Sequence, residues 1–243
     1  MTMRATGLEM RNVVAGYGGQ PILHRVTLSV RAGETLVVVG PNGSGKSTLM
    51  KTAVGLLRPF SGAVQLGDTD VTELSAPARA ARGLAYVPQE ANIFRNMTVL
   101  ENLQVGHEFV APLNGPPFAE RLESVLGLFP EIRAKLRSAA GHLSGGQRQM
   151  VAMAAALMPE PSVLALDEPS AGLSPRNAEL LFEVIGRVAQ SGVTMLIVEQ
   201  NTRLGLGAAD QGVVLVAGRI RLAAPAAEVL ADPEIRRLYL GGA

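Results

Sequence analysis

Short apolar runs recur along this chain, and longer stretches with helical spacing separate them. The runs at 36–39, 163–166 and 194–198 are almost wholly apolar, which is typical of strands buried on both faces of a parallel sheet. The segments 46–57 and 175–190 repeat apolar residues at intervals of three or four, which predicts helices. Strands that alternate with helices in this way predict an α/β fold.

Local sequence signals support two of these elements. Ser174 and Pro175 stand where the second helix would begin, as an N-cap residue followed by proline at the first helical position. Gly40 follows the first apolar run directly and is the kind of residue that ends a strand in a tight turn.

The two ends of the chain and its middle follow other patterns. Residues 8–30 resemble antiparallel strands joined at a glycine-rich turn, Gly16 to Gly19. Residues 98–157 are mostly helical in pattern, broken by a loop at 112–117. We therefore predict one domain over 1–243, with an α/β core formed by about 1–88 and 160–243 and a helical lobe at about 89–159. The tail from Pro225 predicts one or two short helices that end near 239–243.

Composition limits the classes of function. The chain has 243 residues, of which 47% are hydrophobic, so a sizeable core is expected. A net charge of +1 argues against a broad basic face for nucleic acid. The absence of cysteine excludes disulfides and thiolate metal sites. Neither a signal-peptide core nor an apolar stretch of about 18 residues is found, so a role at a membrane would require a partner that spans it.

A glycine-rich run between the first strand and the first helix predicts a phosphate-binding loop. Its glycines allow backbone N–H groups to approach phosphate oxygens, and the helix N-terminus adds favourable partial charge. Lys46 would contact the β- and γ-phosphates, and the hydroxyl of Ser47 would bind Mg²⁺. The alternative, a turn with an exposed lysine, fits the strand–loop–helix context poorly. The run consists of Gly40, Pro41, Asn42, Gly43, Ser44, Gly45, Lys46, Ser47 and Thr48.

Two adjacent acids follow the second buried strand. Asp167 at that position is costly without a partner, and Mg²⁺ held directly or through water would supply one. Glu168 would then face the γ-phosphate as a general base for water. Taken alone, an Asp-Glu pair at a strand end is common, and its proximity to a phosphate loop is what favours the catalytic interpretation.

A second glycine-rich run, residues 143–147, is here called the signature run. Ser144 and Gln147 match a capping box at the start of a helix. A capping box does not require Gly145 and Gly146, each of which costs up to about 1 kcal/mol relative to alanine in a helix. That cost is explained if an anion contacts bare backbone at the helix N-terminus.

The phosphate loop, the signature run and the Asp167–Glu168 pair together resemble the ATP-binding-cassette (ABC) ATPases over essentially the whole chain. The resemblance implies a P-loop core with a mainly parallel sheet, an N-terminal antiparallel β subdomain and an inserted helical lobe. It implies ATP hydrolysis with Mg²⁺. It also implies that Tyr17 stacks on adenine and that Gln89 senses Mg²⁺ and water. The signature run would contact the γ-phosphate bound to a second subunit.

Two departures from the family pattern refine the resemblance. The run 170–174 lacks the aspartate usual in that loop, and Gln200 stands where the family carries a switch histidine. An amide can hydrogen-bond a phosphate but cannot carry a proton. The runs 171–175, 198–201 and 239–242 resemble the second, LivF-type ATP-binding subunit of bacterial importers for branched-chain amino acids, whose relatives import urea or short amides.

This finer resemblance implies a set of partners. The chain would pair with a related, non-identical ATPase subunit and dock on transmembrane permease subunits. A periplasmic binding protein would be an indirect partner. The chain would lie peripherally at the cytoplasmic face of the inner membrane. The helical lobe, with Phe94, Met97 and Val99 near its root, would receive the membrane partner, and the alternative for these apolar residues is ordinary core. A soluble ABC ATPase of the cofactor-assembly type remains the alternative, and co-purification with a permease would distinguish the two.

Overall fold

The computed structural model describes residues 6–90, 92–110 and 116–235. The predicted end of the tail at 239–243 and most of the predicted loop at 112–117 lie outside these ranges. The strands, in chain order, are β1 (Leu8–Tyr17), β2 (Gln20–Val30), β3 (Thr35–Val39), β4 (Ser61–Leu66), β5 (Thr69–Asp70), β6 (Leu84–Val87), β7 (Val163–Asp167), β8 (Thr194–Val198), β9 (Gln211–Val216) and β10 (Arg219–Pro225).

Helices cover the sheet strands and build a separate lobe. They are α1 (Lys46–Ala53), α2 (Ala76–Ala80), α3 (Val99–Val110), α4 (Phe118–Leu128), α5 (Pro130–Arg133), α6 (Gly145–Leu157), α7 (Pro175–Gln190), α8 (Thr202–Gly207) and α9 (Ala226–Ala231), with a 3₁₀ turn at Ala140–His142. In the described part of the chain, no helix is both long enough and apolar enough to cross a bilayer.

Two sheets form the core of the molecule. The larger has the order β10-β9-β3-β8-β7-β6, in which β9 to β6 are parallel and β10 is antiparallel to β9. The smaller is antiparallel, with the order β2-β1-β4-β5. The predicted fold class, a mainly parallel α/β core with an N-terminal antiparallel subdomain and helices between β6 and β7, is therefore confirmed.

Both faces of the larger sheet are buried at β3, β7 and β8, as the uninterrupted apolar runs predict. Val37 and Val39 point toward α6 and α7, whereas Leu36 and Val38 point toward α1 and the smaller sheet. The sheet therefore separates two apolar clusters. Because its central strands are parallel, the loops that follow their carboxyl ends lie together at one edge of the sheet.

The first helix is shorter than its apolar pattern predicts. It ends at Ala53 rather than at residue 57, and Gly55 follows in a left-handed conformation with φ +83°. The buried guanidinium of Arg79 donates to the carbonyl oxygens of Thr52 (2.9 Å) and Ala53 (2.6 Å). This distant arginine satisfies the last carbonyls and so ends the helix.

Candidate functional site

The phosphate loop joins β3 to α1, and the ammonium of Lys46 lies folded beneath it. Lys46 is 5% exposed, and its Nζ donates to the carbonyl oxygens of Gly40 (2.8 Å) and Pro41 (3.2 Å). A Cβ at Gly40 would lie 2.1 Å from the carbonyl oxygen of Leu215, so only glycine fits there. Gly45 caps α1 in a left-handed conformation with φ +102°.

The electrostatics of this loop favour an anion. Among the described residues no side chain caps the N-terminus of α1, so the N–H groups of its first turn face the loop without a side-chain acceptor. Burial lowers the pKa of Lys46, and the nearby carboxylate of Glu168 opposes that shift. The distance from Lys46 Nζ to Glu168 Oε1 is 4.0 Å. A lysine held in this way gives a preformed cationic loop at a helix terminus.

The carboxyl ends of four adjacent parallel strands bring the predicted residues together. Val198 of β8 pairs with Val38 of β3 on one side and with Asp167 of β7 on the other. Val87 of β6 pairs with Leu166 of β7. The phosphate loop, the Asp167–Glu168 pair, Gln200 and Gln89 therefore follow neighbouring strands at one edge, and the side chains of both glutamines are exposed there.

Asp167 has the surroundings of a cation ligand. Its side chain is largely buried, Tyr86 donates its hydroxyl to Oδ2 at 3.3 Å, and Oδ1 is buried with no hydrogen-bond partner. Burial raises the pKa of Asp167. Nowhere in the described residues do three His, Asp or Glu side chains cluster as a metal cage. A hard cation that keeps several water ligands and takes one carboxylate fits this arrangement.

Glu168 is held in an unusual backbone conformation. Its φ of +45° lies in the left-handed region, which is costly for a residue with a Cβ. Its N–H donates to the carbonyl of Val198 at 2.8 Å, and its own carbonyl accepts from the N–H of Ala171 at 3.0 Å. The neighbouring strand and the following turn therefore hold this strained residue in position.

The signature run begins α6 with the predicted capping box. The N–H of Gln147 donates to Ser144 Oγ at 3.3 Å, and the N–H of Ser144 donates to Gln147 Oε1 at 3.1 Å. The glycines also have a packing role that the sequence argument missed. A Cβ at Gly145 would lie 2.9 Å from Leu173 Cδ2, and one at Gly146 would lie 3.3 Å from Asn177 Cβ. An anion contact at this terminus stays a prediction.

Tyr17 lies at the end of β1, beside the helix that follows the phosphate loop. Its side chain is 48% exposed, and Lys51 Nζ lies 5.9 Å from the centre of its ring. An exposed ring next to α1 is compatible with stacking on a base. Its contact with adenine stays a prediction.

An apolar groove lies between the α/β core and the helical lobe. Its volume is about 450 Å³, and its lining includes Leu56, Pro77, Phe94, Val105 and Ala152. Phe94 is 55% exposed. Val99, by contrast, is fully buried in the core, so of its two alternatives the core position is correct and the contact with a membrane partner is wrong. It begins α3, and the inward face of that helix packs against α6.

Sequence reasoning missed two side chains of this edge. Tyr86 orients Asp167 through its hydroxyl. In the sequence it is only a tyrosine in a short strand, which does not indicate this role. Glu199 is buried directly before Gln200 and accepts hydrogen bonds from two segments of the chain. An acid directly after a buried strand is the signal that could have identified it.

Comparisons with known proteins agree on one family. The family model for ABC transporters matches residues 23–171. The probable branched-chain amino acid transport ATP-binding protein LivF of Archaeoglobus fulgidus is 41% identical, over 93% of this chain and 95% of that protein. The high-affinity branched-chain amino acid transport ATP-binding protein BraG of Pseudomonas aeruginosa is 37% identical, over 97% and 100%.

A relative with a different transport role also matches. The lipopolysaccharide export system ATP-binding protein LptB of Escherichia coli is 32% identical, over 96% of this chain and 97% of that protein. Among solved structures, an ATP-binding cassette of an ABC transporter in its ADP conformation has a TM-score of 0.85 and 30% identity, over 98% and 99% of the two chains. A nucleotide-free cassette has a TM-score of 0.84 and 29% identity, over 98% and 100%.

Proposed function

The chain belongs to the ABC transporter family and is an ATPase, and we propose that it energises a bacterial importer for branched-chain amino acids or for related small amides or urea. The observation that carries the ATPase chemistry is the edge where the phosphate loop, Asp167–Glu168 and Gln200 follow adjacent strands. The cargo proposal rests on the names of the LivF and BraG relatives and on the run 198–201.

The residues at this edge of the sheet divide into those that would bind ATP and Mg²⁺ and those that would take part in hydrolysis. The phosphate loop, from Gly40 to Thr48, binds the phosphates of ATP, and Lys46 neutralises charge on the β- and γ-phosphates. Ser47, Gln89 and Asp167 would hold Mg²⁺, which neutralises phosphate charge when bound. The unpartnered Oδ1 of Asp167 supports this assignment.

Glu168 is the proposed general base. A water molecule placed between its carboxylate and the γ-phosphate would lose a proton to it during attack. Gln200 would donate a hydrogen bond to the γ-phosphate through its amide, without carrying a proton. Tyr17 would stack on the adenine ring.

We propose that a second, related ATPase subunit completes each nucleotide site. Ser144, Gly145, Gly146 and Gln147 lie at the N-terminus of α6, where N–H groups and the helix dipole attract an anion. The γ-phosphate bound to the partner would occupy that position, and closure of the dimer on ATP would drive the permease between its two states.

The apolar groove between the core and the lobe is the proposed docking surface for the permease. An exposed Phe94 above an apolar groove is typical of a protein interface. Docked in this way, the chain would lie at the cytoplasmic face of the inner membrane as a peripheral subunit. A periplasmic binding protein would be an indirect partner, which delivers cargo to the permease.

Affinity purification of the tagged chain from native membranes tests this proposal. We expect a permease and a second ATPase to co-purify, and the assembled complex to import a radiolabelled branched-chain amino acid in an ATP-dependent manner. Phe94→Glu should release the permease but keep ATP binding, whereas Phe60→Glu, at another exposed aromatic residue (49% exposed), should keep both. Purification without any membrane protein would favour the soluble cofactor-assembly alternative.

A further inference from the structure

The carboxylate of Glu199 is buried at the carboxyl edge of the sheet, between β8 and Gln200. The residue is 1% exposed. Its Oε1 accepts from the N–H of Gln200 at 2.8 Å and from the N–H of Asn201 at 2.9 Å. These two hydrogen bonds hold the backbone of the residues directly after β8 against the side chain of Glu199.

The same carboxylate also reaches a second segment, 29 residues away in sequence. Oε1 accepts from Ser170 Oγ at 3.0 Å, and Oε2 accepts from the N–H of Ser170 at 3.3 Å. Ser170 stands two residues after Glu168, in the turn whose Ala171 N–H donates to the carbonyl of Glu168. One side chain therefore ties the turn after Glu168 to the segment that carries Gln200.

Burying a carboxylate in this way is costly, so its presence calls for an explanation. No cation of the described residues lies within ion-pairing distance of Glu199, and all of its hydrogen-bond donors are neutral. Burial raises the pKa of Glu199, while the hydrogen bonds from Asn201 and Ser170 oppose that shift. An apolar side chain would fill the space without the desolvation cost. What an apolar side chain could not do is accept hydrogen bonds from both segments at once.

We propose that Glu199 is a positioning residue for ATP hydrolysis, which holds the Ser170 turn and the Gln200 segment in one fixed arrangement. Its four hydrogen bonds would keep Glu168, whose backbone is strained, and Gln200 aimed at the same γ-phosphate. This inference rests on the roles proposed above for Glu168 and Gln200. It adds Glu199 as the residue that sets the position of Glu168 relative to Gln200.

The position of Glu199 predicts a separation between binding and turnover. The residue makes no hydrogen bond to the phosphate loop, and its carboxylate interacts with Lys46 less than those of Glu168 and Asp167 do. Removal of its carboxylate should therefore leave ATP affinity nearly unchanged. The catalytic rate should fall, because a displacement of about 1 Å in reacting groups is costly. Glu199→Gln is the informative change, since it keeps the volume and one acceptor oxygen but presents an N–H₂ group to one of the donors.

The test measures kcat and the Kd for Mg-ATP of the full chain, assembled with the subunits that co-purify with it. The partner ATPase carries a substitution that stops turnover at its own site, so that the rate reports the site built on this chain. For Glu199→Gln we expect kcat to fall by about tenfold or more and Kd to stay within about twofold. Asp210→Asn is the matched control, because its carboxylate accepts from the N–H of Thr35 at the opposite edge of the same sheet. The control should keep kcat, and thermal unfolding of both variants should be compared.

A second variant keeps the test decisive if Glu199→Gln does not fold. Ser170→Ala removes one donor to Glu199, so by itself it should lower kcat, by less than Glu199→Gln, and leave Kd unchanged; an unchanged kcat would overturn the proposal. Where Glu199→Gln does fold, Ser170→Ala should have less effect in that background than alone, because the two residues act as a unit. Additive effects on kcat would then overturn the proposal.

The remaining outcomes separate this inference from the proposed function. If Glu168→Gln abolishes turnover but Glu199→Gln changes kcat no more than Asp210→Asn, the positioning role is refuted and the base is not. An equal loss in kcat and in ATP affinity would also refute it, since general disruption of the site would then explain the loss. If Glu168→Gln retains full turnover, the roles on which the inference rests are wrong.

Discussion

Replacing Lys46 by methionine should separate ATP affinity from fold stability. Methionine has a similar length and is apolar, so it can fill the buried path of the lysine stem. The ammonium of Lys46 donates to the carbonyl oxygens of Gly40 and Pro41. ATP must therefore compete with these two acceptors for the lysine.

The loss of ATP affinity in Lys46→Met follows from the exchange of carbonyl oxygens for phosphate oxygens as acceptors of the Lys46 ammonium. Anionic phosphate oxygens are stronger acceptors than the two carbonyls, by about 1–1.5 kcal/mol for each hydrogen bond. Two such bonds correspond to about 2–3 kcal/mol, which is roughly 30- to 160-fold in Kd. Stability should change by about 1 kcal/mol or less, because relief of a buried charge offsets the loss of a donor to two carbonyls.

Calorimetric titration with Mg-ATP measures the first effect, and thermal unfolding without nucleotide measures the second. Lys135→Met is the control, because it removes the same charge from an exposed position in the helical lobe. Glu168→Gln in the Lys46→Met background should recover part of the lost affinity, since Glu168 Oε1 then no longer faces the phosphates as an unpaired charge. A folded Lys46→Met variant with Kd within about twofold of the parent would refute the phosphate-loop assignment.

Three further changes test other parts of the site. Glu168→Gln should keep ATP bound and lower turnover at this chain's own site by at least about 100-fold in a single-turnover assay of a complex whose partner site is inactivated, because the base is lost and the binding groups remain. Ser144→Arg should abolish stimulation of turnover by the second ATPase and the permease, while this chain's own ATP affinity, measured by titration, stays within about twofold. Gln200→His should leave turnover and its pH dependence unchanged in the assembled complex if the partner's site carries most of the turnover; a gain in rate would contradict that asymmetry.

Elements set by local sequence could be predicted closely. The strands β3, β7 and β8 and the helix α7 lie within one residue of their predicted bounds, because each is a fully buried run or has Ser174 and Pro175 at its start. The strands β4, β5, β9 and β10 were not predicted, and β10 shows one reason. It alternates polar and apolar residues from Arg219 to Leu222 at the edge of the sheet, where a half-exposed strand has low mean hydropathy.

Features that depend on distant contacts could not be predicted. The end of α1 depends on Arg79, which lies 26 residues beyond Ala53. The left-handed φ of Glu168 and the hydrogen bond from Tyr86 to Asp167 arise only once β6, β7 and β8 are in register. The burial of Val99 is a further case, since its apolar character fits both an interface and a core.

The charges at the carboxyl edge indicate why this site would need components from outside the chain. The ammonium of Lys46 interacts with the carboxylates of Glu168, Asp167 and Glu199, and that of Lys51 also interacts with Asp167. Two lysines thus face three carboxylates before ATP adds its own negative charge. The N-terminus of α1 supplies only about half an elementary charge toward compensation. We infer that stable closure on ATP requires a divalent cation beside Asp167 and the N-terminus of a partner's signature helix at the γ-phosphate, so that the electrostatics of one subunit favour assembly with a second.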